Sequence, residues 1–163
     1  MIILVCGLPG SGKSYLAERL AKKCGAVYLS SDIVRQEMSA RGHYSREDKL
    51  NVYKELQKQA AALCRQEKDV VVDATFFHHT LREMFLSLAK EIRVRIYVIE
   101  VTASEDLIRK RLKEPRPFSE ADFNVYVSVR DVFEEITMPH LVLESTNDNI
   151  DFMLDSAIEY LGI

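Results

Sequence analysis

The feature that most narrows the fold is a run of eight residues near the N-terminus, Gly7-Leu8-Pro9-Gly10-Ser11-Gly12-Lys13-Ser14, read together with its flanks. Before it stands Ile2-Ile3-Leu4-Val5-Cys6, an unbroken apolar run of the kind that forms a strand buried on both faces. After it, residues 13–23 carry Leu16, Ala17 and Leu20 on one face, which predicts a helix. Strand, glycine-rich turn and helix in immediate succession point to an α/β architecture. The run fits G-x-x-x-x-G-K-[ST] at every fixed position. Its glycines let successive backbone N–H groups converge on dense negative charge where a Cβ would intrude. The helix opening near Lys13 adds the positive end of its dipole. In such a loop the lysine reaches the β- and γ-phosphates of a nucleotide and the Ser14 hydroxyl ligates Mg²⁺. Residues 7–14, with Tyr15 in the first helical turn, are therefore the candidate site for the phosphates of ATP or GTP.

The alternation continues along the chain. Apolar runs predict further strands at 26–29, 70–72, 94–101 and 141–143. Helical spacing predicts helices at 32–38, 46–66, 81–90, 104–112, 119–135 and 150–161. Ser45 is the expected N-cap of the long helix, with Glu47 and Asp48 in its first turn and Leu50, Tyr53, Leu56, Ala60 and Leu63 on its inner face. Ser104 caps another, and Ser119-Glu120-Ala121-Asp122 reads as a capping box. Strands alternating with helices predict a parallel sheet covered by helices. With 163 residues, 47% of them apolar, the chain reads as one domain, 1–163, with a real core.

Composition excludes several classes. No apolar run approaches about 18 residues, so no membrane span or membrane partner is expected, and the N-terminus lacks the basic start of a secretion signal. Cys6, Cys24 and Cys64 are odd in number and far apart, without metal or redox spacing; they read as free core cysteines of a cytoplasmic protein. A net charge of −3 argues against wholesale binding of a nucleic-acid backbone while leaving room for a local basic patch. His78 and His79 are adjacent, so on a helix they diverge by about 100° and do not form an i, i+4 metal pair.

Other candidate residues sit where predicted strands end, the edge of a doubly wound sheet that faces its ligand. Asp32 follows the second strand; its carboxylate can take the proton of an attacking hydroxyl, or cap the short helix. Arg35 lies one turn further on the same face and can hold an acidic group of an acceptor, or a surface ion pair. Asp73 ends the 70–72 strand, where it can hold the water shell of Mg²⁺, contact an acceptor, or cap the turn. Arg82 can help seat an acceptor or lie on the surface. A cluster of cations, Arg109, Lys110, Arg111, Lys113 and Arg116, surrounds Pro115 and Pro117 and reads as a solvated face or a lid over about 109–120.

Four stretches carry a resemblance that spans nearly the whole chain: residues 7–14; Ser31-Asp32-Ile33-Val34-Arg35; Val71-Val72-Asp73-Ala74-Thr75 with Arg82; and 109–116 followed by 119–126. They are similar to the small P-loop kinases related to the 5′-hydroxyl polynucleotide kinase domain and the zeta-toxin-like kinases, with an AAA-type ATP-binding domain. The resemblance implies a five-stranded parallel sheet in the order 2-3-1-4-5. It implies that Asp32 is the general base of a D-x-x-R motif, that Asp73 serves the metal or acceptor, and that Arg111 and Arg116 stand nearest the lid positions that stabilise the transferring phosphoryl group. The expected activity is transfer of the γ-phosphoryl group to a hydroxyl, on a polynucleotide 5′-end, a tRNA or a small molecule such as a nucleoside, sugar or antibiotic. The competing class is an NTP-binding or hydrolysing switch without an acceptor. Against its guanine form, Ala74-Thr75-Phe76 follows Asp73 in place of the D-x-x-G pattern, and N-K-x-D does not occur.

Overall fold

The computed structural model describes residues 1–38, 45–114 and 121–163. Its strands are β1 (Ile2–Cys6), β2 (Val27–Ser30), β3 (Val70–Asp73), β4 (Ile96–Thr102) and β5 (Leu141–Glu144). They form one five-stranded parallel sheet in the order β2-β3-β1-β4-β5, as the resemblance implies. The helices among the described residues are α1 (Lys13–Cys24), α2 (Ser31–Glu37), α3 (Arg46–Arg65), α4 (His79–Glu91), α5 (Glu105–Arg111), α6 (Phe123–Arg130) and α7 (Ile150–Leu161). None of them is long and apolar enough to cross a membrane.

The pleat of β1 explains why the sheet is covered on both sides. All five of its residues are fully buried. Ile2, Leu4 and Cys6 enter the core shared with α3 and α4, while Ile3 and Val5 enter the core shared with α1 and α7. Each such apolar side chain contributes about 1.5–3 kcal/mol on burial, and a slip of one residue would exchange the two faces. β3 repeats the division, with Val70 and Val72 on the α3/α4 side and Val71 on the other.

Helix boundaries follow local chemistry where the end is capped. Ser45 and Asp48 form a reciprocal capping box at the start of α3. Ser104 accepts from Leu107 N at the start of α5. Gly25 ends α1 in a left-handed conformation, φ 67°. Three expectations change. The cap of α2 is Ser30, whose hydroxyl accepts from Asp32 N, so Asp32 is a first-turn residue and not the cap. On α3, Val52, Ala61 and Cys64 join the buried face, and Leu50 stays exposed. The helix expected over 119–135 is α6, capped by Asp122 and ending at Arg130; the Ser119-Glu120 part of the proposed box lies outside the described residues. It stops early because the chain beyond it is captured by tertiary bonds: Glu134 N donates to Phe77 O at 2.8 Å.

Parallel strands put all their C-terminal ends on one edge. Gly7, Ser31, Ala74, Ala103 and Ser145 leave the sheet there. Neighbouring exits are tied together, Gly7 N to Thr75 O at 3.4 Å and Ser145 N to Thr102 O at 2.8 Å.

Candidate active site

The phosphate-loop sequence folds as a tight turn between β1 and α1. Gly7 has φ 147°, and a Cβ there would stand 2.4 Å from Val101 O. Gly12, at φ 96°, precedes α1; a Cβ would meet Ser145 Oγ at 2.7 Å. Both positions therefore demand glycine for conformation and for space. Leu16 N donates to Gly12 O and starts the helix. Ser11 N turns back to Leu8 O at 3.1 Å, and the buried Ser11 Oγ has no hydrogen-bond partner.

Beyond the loop opens a cleft of about 960 Å³. Pro9, Lys13, Ser14 and Tyr15 form one wall. The Tyr15 ring is exposed and carries the Arg19 guanidinium at 3.4 Å. Asp32 and Arg35 line the same cleft from α2, together with Tyr28, Ser30, Ser31 and Ile33. The structure thus brings Lys13, Ser14, Tyr15, Asp32 and Arg35 to one cavity.

It adds residues that the sequence reading missed. Lys49 and Tyr53 reach the cleft from α3, Phe77 from the turn after β3, and Asn124, Val125, Ser128 and Val129 from α6. Lys49 Nζ lies 5.5 Å from the Phe77 ring centroid. Lys49 and Tyr53 are four apart, a helical spacing that marks a shared face but not which cavity the face meets. The Tyr53 hydroxyl accepts from Phe76 N at 2.9 Å. Phe76 is buried at φ 51°, a left-handed conformation uncommon for an aromatic residue. It is clamped edge-to-face by Tyr53 and Phe85, and this turn delivers Phe77 to the cleft.

Asp73 ends β3, 2% exposed. Tyr28 donates its hydroxyl to Asp73 Oδ2 at 2.7 Å, and burial raises the phenol pKa, so the donor keeps its proton. Oδ1 is buried without a partner. Ser14 lines the cleft and Asp73 does not; the unpartnered carboxylate oxygen of Asp73 and the Ser14 hydroxyl are each the hard-oxygen donor type that suits Mg²⁺, which takes one or two protein oxygens and keeps waters.

Two arginines have hydrogen-bond partners that the sequence did not indicate. Arg82 is 1% exposed and is not part of the cleft wall. Its guanidinium donates to Phe76 O at 2.7 Å and Glu135 O at 3.0 Å, so it braces the turn after β3 from the interior, not from the surface. Arg111 is drawn to the phosphate loop but not to the cleft lining. It donates to Gly10 O (3.3 Å), Ser11 O (3.1 Å), Ser145 Oγ (3.0 Å) and Thr146 O (2.8 Å). Burial lowers its pKa. With its fork on these oxygens, Arg111 ties the end of α5 to the phosphate loop and to the turn after β5. Arg109 pairs with Glu105 at 3.2 Å and stacks on Phe123 at 3.8 Å. Arg116 lies outside the described residues.

Known proteins resemble this chain in sequence and in fold. A probable adenylyl-sulfate kinase of Aeropyrum pernix is 27% identical over 158 residues, covering 93% of this chain and 86% of that protein. A bifunctional polynucleotide phosphatase/kinase of Schizosaccharomyces pombe is 33% identical over 108 residues, 66% of this chain and 22% of its own length. An uncharacterized protein of Mycobacterium tuberculosis is 29% identical over 123 residues, 68% of this chain; the match spans only 25% of that relative. Among solved structures, the Mycobacterium tuberculosis APS kinase in complex with AMPPNP and APS superposes with a TM-score of 0.74 at 20% identity, covering 99% of this chain and 97% of that one. A gluconokinase from Sinorhizobium meliloti superposes at 0.75 with 17% identity, covering 98% and 90%. At such identities the likeness is one of fold. A family profile described as AAA domain matches residues 2–136, most of the chain and every residue that lines the cleft. The chain belongs to that AAA domain family, built on the fold of the P-loop kinases.

Proposed function

We propose that this chain is an ATP-dependent kinase that transfers the γ-phosphoryl group to a hydroxyl acceptor. The observation that carries the reading is the single cleft in which the phosphate-loop residues Lys13 and Ser14 face Asp32 and Arg35. The loop N–H groups and Lys13 hold the β- and γ-phosphates. Asp32 takes the proton as the acceptor oxygen bonds to the γ-phosphorus and the bond to the bridging oxygen breaks, releasing ADP. Ser14 and Asp73 would hold Mg²⁺, which would neutralise the charge that develops on the phosphoryl oxygens. Arg35 and Lys49 favour an acceptor with an anionic group beside its hydroxyl. Polynucleotide ends, tRNA and anionic small molecules share that chemistry. Three free cysteines suit a reducing compartment, the cytoplasm.

The test is transfer of label from γ-labelled ATP, and from GTP in parallel, to 5′-hydroxyl DNA and RNA, tRNA, nucleotides, sugars and adenylyl sulfate. Acceptor-dependent label in one class is the expected result. Release of phosphate at the same rate with and without every acceptor would replace the kinase by an NTP-hydrolysing switch.

A further inference from the structure

We propose that His78, His79 and Glu134 form a binding site for a first-row transition dication, best matched by Zn²⁺, at the joint between the start of α4 and the segment after α6. The helical divergence expected of adjacent histidines does not apply, because His78 is the N-cap of α4 with extended backbone (φ −115°, ψ 140°) and only His79 is helical. Their rings stack, with centroids 4.7 Å apart and planes at 27°. Both face one carboxylate. His78 Nε2 lies 3.2 Å from Glu134 Oε1, and His79 Nδ1 lies 2.7 Å from Glu134 Oε2. One donor atom from each residue falls within a 4.8 Å span. Zinc ligands at about 2.0–2.2 Å stand roughly 3.3 Å apart around a tetrahedron, so small rotations of the three side chains close the site.

Three further features favour a metal. The second nitrogen of His78, Nδ1, is 2.8 Å from Thr80 Oγ1 and accepts from Thr80 N at 3.3 Å as the cap of α4; metal binding at Nε2 takes the tautomer in which Nδ1 carries the proton and donates to Thr80 Oγ1, exchanging the cap bond for the outer-sphere contact of a ligating histidine. Glu134 is held in place from both sides: its own N donates to Phe77 O, and its carboxylate accepts from His79 N at 2.6 Å. The three side chains are 36%, 61% and 38% exposed, so an ion has a route in and room for water. Two imidazoles and one carboxylate select zinc, cobalt or nickel over Mg²⁺, which separates this site from the Ser14–Asp73 set. Phe77 lines the cleft and precedes His78, so a bound ion would staple the chain around Glu134 to the cleft wall.

The experiment titrates chelator-treated full-length protein with Zn²⁺ by calorimetry, and with Co²⁺ by visible absorption, both in excess Mg²⁺ to occupy the oxygen site. One Zn²⁺ per chain and cobalt bands of a nitrogen–oxygen site are expected. His79→Ala and Glu134→Gln each remove a ligand and weaken binding by more than the about 10–100-fold that loss of an outer-sphere partner costs. His79 is exposed, and the glutamine keeps an acceptor for His79 N, so both variants fold; melting curves without metal verify this. Cys24→Ser binds as the wild type. Zinc raises the wild-type melting temperature and leaves both site variants unmoved. Wild-type-like affinity in His79→Ala, loss of the site in Cys24→Ser, or no binding up to millimolar Zn²⁺ would each overturn the site.

Discussion

An ammonium group half-buried at the end of a glycine loop has little packing to contribute and a large electrostatic task. Lys13→Ala should therefore leave the melting temperature of the free protein near wild type while ATP turnover falls by roughly 10²–10³-fold or more, the cost of losing one preorganised charge at a reacting phosphate. A variant that turns over normally would remove the loop from the mechanism. Asp32 offers a cleaner separation than its neighbours. Because Ser30 and not Asp32 caps α2, neither Asp32→Asn nor Asp32→Ala touches the cap. Both should lose about 10²–10⁴-fold in single-turnover transfer, as expected for a general base, with ATP affinity kept. Ser30→Ala, by contrast, should cost about 0.5–2 kcal/mol of stability through the helix end. Transfer at the wild-type rate in a folded Asp32→Asn protein would leave Asp32 as a cleft-lining residue without a chemical role.

At the scale of elements, two arginines act as rivets between segments distant in sequence. Arg111 joins the end of α5 to the phosphate loop and to the turn after β5. Arg111→Ala leaves four oxygens without their shared donor. The expected result is a stability loss of about 1–3 kcal/mol and weaker ATP binding, with kcat at saturating ATP changed less than the affinity. Arg111→Lys should not rescue it, since an ammonium cannot reproduce the planar fork. A hundredfold fall in kcat with unchanged affinity would instead make Arg111 a transition-state residue. Arg82 joins the turn after β3 to the segment after α6. Arg82→Ala should lower stability by about 3 kcal/mol or more, read as a fall in melting temperature, because it opens a cavity and strands two carbonyls. A variant with wild-type stability and a raised acceptor KM would return Arg82 to acceptor binding.

At the scale of the whole molecule, nucleotide binding and folding are linked. The loops leaving β1, β3, β4 and β5 are tied to one another at one edge, and the nucleotide would bind where they meet. ATP with Mg²⁺ at 100 times its Kd should stabilise the fold by about 2.7 kcal/mol. The rise in melting temperature should vanish in Lys13→Ala and shrink when Mg²⁺ is chelated. Phosphoryl transfer should stop in excess chelator and return with added Mg²⁺ or Mn²⁺; full activity under chelation would exclude the Ser14–Asp73 metal set.

The sequence by itself determined whatever depends on neighbours along the chain. The phosphate loop, the buried character of β1 and β3, the Ser45 and Ser104 caps, and the alternation of strand and helix all rest on spacing and local backbone chemistry. Those interactions span a few residues, so a linear string records them. The tertiary structure alone decided where long side chains end. Lys49, Tyr53 and Phe77 meet Asp32 only because β2 and β3 are adjacent and α3 packs across their ends. Arg82 and Arg111 look like surface or lid cations in the sequence, yet their guanidinium groups bond backbone oxygens 53 and 101 positions away. His78, His79 and Glu134 converge for the same reason: one extended cap residue and one interstrand-loop bond, from Glu134 N to Phe77 O, bring together groups 55 residues apart. A long polar side chain goes to whichever distant carbonyl or carboxylate the packing presents, and periodicity carries no information about that partner.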